Sequence, residues 1–192
     1  MFLQTERTTI RPLVHSDLEQ LSGLFSSAEA MQFIPPHFAP EDNRQTKDRL
    51  DAYIRHHDQH GISFGHVSDH HGNFLGRAGF YYLSDVGLYE IGCSLLPEYW
   101  GQGLATEIAH SLLDYAFDEL NLDVVCARTI IGNEGSENVL DKTGFNFLGE
   151  RMFEIKGQPF IWNYYECYND DNLSFADQHS DAGYVDDWDL SY

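Results

Sequence analysis

The segment from Glu90 to Glu107 constrains the fold of this 192-residue chain more than any other. An apolar stretch leads into a loop with two glycines, Gly101 and Gly103, and a region of helical periodicity follows. Glycine permits tight turns and close approach to a ligand because it has no Cβ. The unpaired N–H groups and the positive dipole end of a helix form a ready anion site. The segment predicts a strand, a tight loop and a helix whose N-terminus binds a pyrophosphate, although such a junction can also be a plain connection.

Periodicity elsewhere predicts an α/β (α+β) fold with a mixed, mostly antiparallel sheet of seven strands flanked by helices. Apolar runs around the turn residues 69–73 predict a hairpin, and 89–96 adds a third antiparallel strand. Apolar residues at helical spacing predict a helix over 101–120, and a strand over 124–131 follows it. A strand, a crossover helix and a second strand suggest one parallel pair. A short helix over about 136–142 precedes two closing strands.

Composition limits the partners and the location. The net charge is −20, which disfavours nucleic acid and anionic membranes and favours cationic amines or basic peptides. Solubility alone could also account for that charge. No run approaches the roughly 20 apolar residues that span a bilayer, and the N-terminus does not read as a secretion signal. Three widely spaced cysteines predict reduced thiols and a cytoplasmic protein.

The charge also suggests a boundary near Asn169. From Asp170 to the C-terminus there are seven acids and neither Lys nor Arg. We therefore predict one domain over 1–169 and an acidic tail over 170–192, either disordered or docked through its scattered aromatic residues.

Known nucleotide motifs narrow the interpretation of the glycine loop. The pattern G-x-G-x-x-G fails because position 106 is Thr, and no Walker sequence is present. The loop resembles the acetyl-CoA loop of the GNAT acetyltransferases, [QR]-x-x-G-x-[GA], with Trp100 at its first position. Residues 133–145 resemble a second GNAT signature, N-x-x-S-x-x-[VL]-L-x-K-x-G-F. The opening residues 5–13 are similar to the first strand of the ribosomal-protein N-terminal acetyltransferases. Together the matches span about 5–168.

That resemblance implies a sheet splayed between its fourth and fifth strands, with acetyl-CoA as co-substrate in the gap. Backbone groups near Leu95 and Leu96 would then pair with the pantetheine as an added strand does. The remaining predicted cofactor-binding residues are Gly101, Gln102, Gly103, Leu104, Ala105, Thr106 and Asn133. Asn133 could instead serve a turn.

The resemblance also implies the chemistry. Glu90 is the predicted general base, directly or through water, and Ser136 the predicted general acid that protonates the leaving thiolate. Glu90 could otherwise be an ordinary surface residue, and Ser136 a helix cap. His56 and His60 share a helical face, but no third ligand has zinc-like spacing, so no metal site is predicted.

We therefore predict an N-acetyltransferase that transfers acetyl from acetyl-CoA to a primary amine by direct attack in a ternary complex. Peptide or protein N-termini are the favoured acceptors, and small amines are close behind. The alternatives are a non-catalytic CoA-binding sensor and a partner-binding protein that works through its tail. A monomer and a homodimer are both compatible with the sequence.

Overall fold

The computed structural model describes residues 2–36, 38–155 and 157–169, so the predicted tail over 170–192 lies outside the described residues. Within these ranges, five α-helices and eight strands follow one another along the chain. The helices are α1 (Leu18–Phe25), α2 (Ala28–Met31), α3 (Asn43–His60), α4 (Leu104–Asp114) and α5 (Glu134–Lys142). The strands are β1 (Leu3–Gln4), β2 (Thr8–Pro12), β3 (Phe64–Asp69), β4 (Phe74–Leu83), β5 (Leu88–Leu95), β6 (Val124–Ile130), β7 (Asn146–Ile155) and β8 (Gln158–Tyr168).

The strands of the described ranges form one sheet in the order β1-β2-β3-β4-β5-β6-β8-β7. Every neighbouring pair is antiparallel except β5 and β6, which are parallel. The predicted mixed, mostly antiparallel sheet is confirmed. Its eighth strand is the two-residue β1 at the edge, too short to leave a periodic signal in the sequence. The predicted fourth and fifth strands are therefore β5 and β6.

Helices cover both faces of the sheet. On one face, α4 packs its buried residues Ile108 and Leu112 into a core with Ala78 and Phe80 of β4. On the other face, α1, α2 and α3 form a second core with Phe64. Alternation along the strands sends neighbouring side chains to opposite faces. The sheet is thus a central layer with packed helices on both faces.

Two helix starts differ from prediction. Helix α4 begins at Leu104 rather than 101, because Gly101 and Gly103 have φ of 72° and 77° in the left-handed region. Helix α5 begins at Glu134 rather than 136, because the Asn133 side chain accepts the Ser136 N–H and so caps the helix two residues early. At the other end of α4, the helix continues as one π-helical turn over Tyr115–Glu119. No helix of the described residues is long and apolar enough to span a membrane.

Candidate active site

The parallel strands β5 and β6 separate almost as soon as they meet. They share one register pair among the described residues, Glu90 with Cys126. Beyond this pair a cleft of about 1400 Å³ opens. Its walls include β5, the loop before α4, the start of α5 and the inner face of α3. The cleft therefore lies at the predicted splay.

Alternate residues of β5 bond to β4, and the backbone groups of the residues between them face this gap. The Leu96 N–H donates to the Leu75 carbonyl at 2.8 Å, and β4 and β5 keep one register from Leu83↔Leu88 to Gly76↔Leu95. Because bonded and non-bonded pairs alternate in an antiparallel ladder, the backbone groups of Cys93 and Leu95 point away from β4, toward β6. Within the described part of the chain, β6 no longer pairs with β5 at these positions. This edge of β5 is available to an extended ligand.

Trp100 orders one end of that edge. Its indole Nε1–H donates to the Leu95 carbonyl at 2.8 Å, so the loop folds back onto the strand. Leu95 lines the cleft, but Leu96 does not, because its N–H is bonded to β4. The backbone groups that face the gap are therefore those of Cys93 and Leu95, whereas the sequence predicted Leu95 and Leu96.

The N-terminus of α4 presents free N–H groups to the same cleft. The first backbone bond of the helix runs from the Glu107 N–H to the Gly103 carbonyl at 3.1 Å. The N–H groups of Leu104, Ala105 and Thr106 therefore have no intrahelical partner. The predicted loop residues that line the cleft are Gly101, Gly103, Leu104, Ala105 and Thr106. Gln102 lies outside the lining, and its carbonyl accepts from Arg7 Nη1 at 2.9 Å.

Arg7 braces this loop and was missed by sequence reasoning. Besides its bond to Gln102, its Nε donates to Glu107 in the first turn of α4. Its Nη2 lies 3.7 Å from the point where a Cβ on Gly103 would lie. Burial opposes ionisation of Glu107, but hydrogen bonds from Thr5 and Arg7 hold its pKa below the ordinary value. The positive side chain of Arg7 thus lies beside the N-terminus of α4, where the sequence predicted an anion site made by backbone N–H groups and the helix dipole.

Glu90 lies where the strands part, and it is paired. Arg128 of β6 donates from Nε to Oε1 at 2.9 Å and from Nη2 to Oε2 at 3.1 Å. The guanidinium also stacks near Phe153 and Trp162, at 4.6 and 5.1 Å from the ring centroids. Burial opposes the charge on Arg128, yet the Glu90 carboxylate holds the pKa of the Arg128 guanidinium above its ordinary value. Glu90 is therefore a fixed, half-buried carboxylate at the mouth of the gap, rather than a mobile surface residue.

Ser136 and Asn133 line the cleft from the start of α5. Asn133 Oδ1 accepts the Ser136 N–H at 3.3 Å, which makes Asn133 the cap of α5 and leaves Ser136 inside its first turn. Two thiols lie nearby on the splayed strands. Burial raises the pKa of both Cys93 and Cys126 to about 12, so both are neutral thiols near pH 7.

The histidine pair of α3 serves packing. His56 Nε2 accepts the Tyr82 N–H at 2.9 Å, and its ring stacks on His60 and Tyr81 at centroid distances of 4.4 and 4.2 Å. Its Nδ1 lies 2.9 Å from the Ile62 carbonyl. In the described ranges, no three His, Cys, Asp or Glu side chains are grouped to hold a metal ion.

Comparison with known proteins identifies the family. The acetyltransferase (GNAT) domain family matches residues 7–146 of the chain. The chain belongs to the GNAT acetyltransferase family. It is an N-acetyltransferase by family, and members of this family transfer acetyl from acetyl-CoA to amines.

Individual relatives cover most of the chain. It is 31% identical over 153 residues to the spermidine N(1)-acetyltransferase of Escherichia coli K12, which covers 78% of this chain and 79% of the relative. It is 26% identical over 172 residues to the uncharacterized N-acetyltransferase YoaA of Bacillus subtilis, and the match covers 85% of this chain and 94% of the relative. The structure resembles the ribosomal-protein-S5-alanine acetyltransferase of Vibrio fischeri with a TM-score of 0.70 and 23% identity, covering 89% of this chain and 98% of that structure. The predicted resemblance to the GNAT branch with ribosomal-protein acetyltransferases is confirmed.

Proposed function

We propose that this chain acetylates the N-terminal amine of peptides or proteins by direct attack on acetyl-CoA in a ternary complex. The observation that carries the proposal is the convergence of two features on one cleft. The open backbone edge of β5 and the free N–H groups of α4 both face the space between β5 and β6.

Acetyl-CoA would be held mainly by the main chain. Backbone N–H groups of Leu104, Ala105 and Thr106 suit a pyrophosphate, and Arg7 adds one positive charge beside them. Backbone groups of Cys93 and Leu95 suit the amides of the pantetheine arm, as when a strand is added to a sheet edge. When bound, acetyl-CoA supplies the thioester. This division lets a strongly acidic chain bind an anionic co-substrate.

The proton transfers would fall to Glu90 and Ser136. We assign Glu90 as the base that accepts the ammonium proton through a water, since both carboxylate oxygens are held by Arg128 at the mouth of the gap. Ser136, which lines the same cleft, would donate its hydroxyl proton to the leaving thiolate and regain a proton from solvent. The neutral Cys93 and Cys126 thiols favour direct attack over an acetyl-cysteine intermediate, because the nucleophilic form of cysteine is the thiolate. Two thiols in this state also support a cytoplasmic location.

Polyamines are a second candidate acceptor class. Asp48, Asp85 and Glu154 also line the cleft, beside Glu90, and carboxylates attract any cationic amine. One relative is named as a spermidine acetyltransferase. The acidic lining alone therefore does not separate a peptide from a polyamine.

Initial-rate kinetics with acetyl-CoA, an alanine-terminated peptide and spermidine test the proposal. We expect mass spectrometry to show that the peptide gains one acetyl group. When the concentrations of both substrates are varied, the lines of the double-reciprocal plots should intersect. Parallel lines would contradict direct attack, and faster acetylation of spermidine would contradict the peptide assignment. Tight CoA binding without acetylation of either acceptor would favour the sensor alternative.

A further inference from the structure

Arg77 is a buried arginine of the cleft, and two of its nitrogen atoms have no hydrogen-bond partner among the described residues. It lies in the middle of β4, is 8% exposed and lines the cleft. Its Nε and Nη1 atoms are buried and have no hydrogen-bond partner among the described residues. Such groups are rare in folded proteins, because an unsatisfied buried donor costs free energy.

The other two arginines that line the cleft are satisfied by carboxylates. Arg49 is paired with Glu41, and Arg128 holds Glu90 through two hydrogen bonds. Arg77 instead stacks on aromatic rings, with its Cζ 3.9 Å from the centroid of Phe64 and 5.6 Å from that of Tyr53. Cation–π contacts offset part of the cost of a buried charge, but they leave the planar N–H groups unbonded.

Gly92 makes room for this arrangement. A Cβ at Gly92 would lie 2.8 Å from the Phe64 ring and 3.7 Å from Arg77 Nη1. The guanidinium therefore lies over β5 at a residue that has no side chain, two positions after Glu90. On the same face of the sheet, the free donors are close to the place where β5 and β6 part.

The geometry points to an oxygen of the acceptor as the missing partner of Arg77. We propose that Arg77 binds the carbonyl oxygen next to the attacking amine and so selects α-amino-acyl acceptors, the chemistry of a peptide N-terminus. Guanidinium donors suit planar oxygen acceptors, and a polyamine has no such oxygen. This inference rests on the proposed function and makes Arg77 its specificity-determining residue.

Matched acceptors isolate this interaction. Alanine N-methylamide carries the carbonyl, whereas 2-aminopentane has the same branched amine without it. The rates are compared per concentration of neutral amine, for the wild type and for the Arg77→Met variant. Met retains a long stem against Phe64 and removes only the donors and the charge. Arg44→Met is the control, since Arg44 is exposed and does not line the cleft.

We expect the wild type to prefer the amide over 2-aminopentane at least tenfold in kcat/KM. Arg77→Met should raise KM for the amide about ten- to hundredfold, the usual effect of losing a hydrogen bond to a charged group. Activity with 2-aminopentane and the affinity for acetyl-CoA should change less than about twofold. The Arg77→Met protein should also melt no lower than the wild type, because it no longer buries an unpaired charge. A purely structural Arg77 would instead lower the melting temperature and reduce activity with both acceptors alike.

Other results overturn the assignment. Equal losses with both acceptors would place Arg77 at the thioester or in folding, and no loss with either would leave it without a role in the reaction. Preference for free alanine over its amide would overturn the assignment to peptides, since a carboxylate would then be the partner. If the wild type acetylates neither acceptor, the proposed function fails, and calorimetry with the CoA-loaded protein judges Arg77 separately. Amide binding that weakens in Arg77→Met supports the inference, and absence of amide binding to the wild type overturns it.

Discussion

The two halves of the cleft are built from different parts of the chain. The proposed cofactor half consists mainly of main-chain groups within one continuous segment, from Cys93 on β5 to Thr106 on α4. The proposed acceptor half consists of side chains from separate elements, including Tyr53 of α3, Arg77 of β4 and Arg128 of β6. Backbone groups cannot be exchanged by substitution, whereas side chains can. The family can therefore keep one donor and vary its acceptors.

The two halves also satisfy their polar groups differently. In the cofactor half the free N–H groups are in a helix terminus, where geometry alone leaves them unpaired. In the proposed acceptor half, Glu90 and Arg49 form ion pairs, whereas Arg77 Nε and Nη1 have no hydrogen-bond partner among the residues that the structure describes. The unpaired arginine is thus the feature of the acceptor half that most specifically indicates a ligand.

The largest expected effect comes from closing the cofactor half. Gly103→Glu places a side chain and a negative charge where the backbone must approach a pyrophosphate, so we expect acetyl-CoA affinity to fall at least a hundredfold by calorimetry. Gly103 also has a φ of 77°, which costs about 1 kcal/mol for any residue with a Cβ. Gly87→Glu is the matched control, because Gly87 has a φ of 79° in an exposed turn outside the cleft.

Both variants should lose similar stability, and only the Gly103 variant should lose acetyl-CoA. Equal affinities in the two proteins would show that the glycine loop is only a connection. The proposal that main-chain groups of this loop bind the cofactor would then be wrong.

The next largest effect is expected at the mouth of the gap. Glu90→Gln should lower kcat about a hundredfold, within the usual range for a general base, with little change in acetyl-CoA affinity. Because the variant also breaks the contact with Arg128, Arg128→Met is the control that breaks the same pair and keeps the carboxylate. We expect less than a tenfold loss of kcat in Arg128→Met. Equal losses would mean that the ion pair, and not the carboxylate, is what the reaction needs.

The sequence could predict the glycine loop and the strand before it because their signal is local. Gly101, Gly103 and the apolar strand before them are adjacent in the chain, and their spacing carries the geometry. Even there, the sequence does not show that the Leu96 N–H is bonded to the Leu75 carbonyl, because the phase of the β4–β5 ladder depends on that pairing. Two left-handed glycines also moved the start of α4 by three residues.

The acceptor half could not be predicted in the same way. Arg77 lies in an apolar strand where its neighbours Phe64 and Gly92 come from other strands, so no spacing along the chain marks it. Arg7 and Arg128 also acquire their partners over about a hundred and about forty residues, respectively. Charge and burial of such residues become visible only when the sheet is assembled.

A smaller effect tests whether any side chain contributes to the cofactor half. Trp100→Phe removes the indole donor that holds the Leu95 carbonyl at 2.8 Å. A single hydrogen bond contributes about 0.5–1.5 kcal/mol, so we expect acetyl-CoA affinity to fall roughly two- to tenfold by calorimetry. Phe147→Leu, an exposed aromatic change on β7 away from the cleft, should have no effect. An unchanged affinity in Trp100→Phe would show that the indole does not contribute to acetyl-CoA binding.

The smallest expected effect separates the halves by pH. His56 of α3 and His66 of β3 are both buried, and burial lowers the pKa of each below the ordinary 6.5. The unfolded chain therefore takes up protons on these two histidines below about pH 6.5 that the folded chain does not, so we expect their contribution to lower the stability as the pH drops toward 5. In the cofactor half, Glu107 has a lowered pKa, so its contribution is lost only below the ordinary 4.5 of a glutamate.

Denaturant unfolding between pH 7.5 and 5 measures this difference. The wild type should lose stability across that range, and His56→Gln should reduce the dependence by removing one of the two groups. His110→Gln, an exposed change on α4, should leave the dependence unaltered. Stability that is constant or rises as the pH falls would contradict the prediction. Such a result would mean that His56 takes up a proton in the folded chain and releases the Tyr82 N–H, because a protonated ring cannot accept a hydrogen bond.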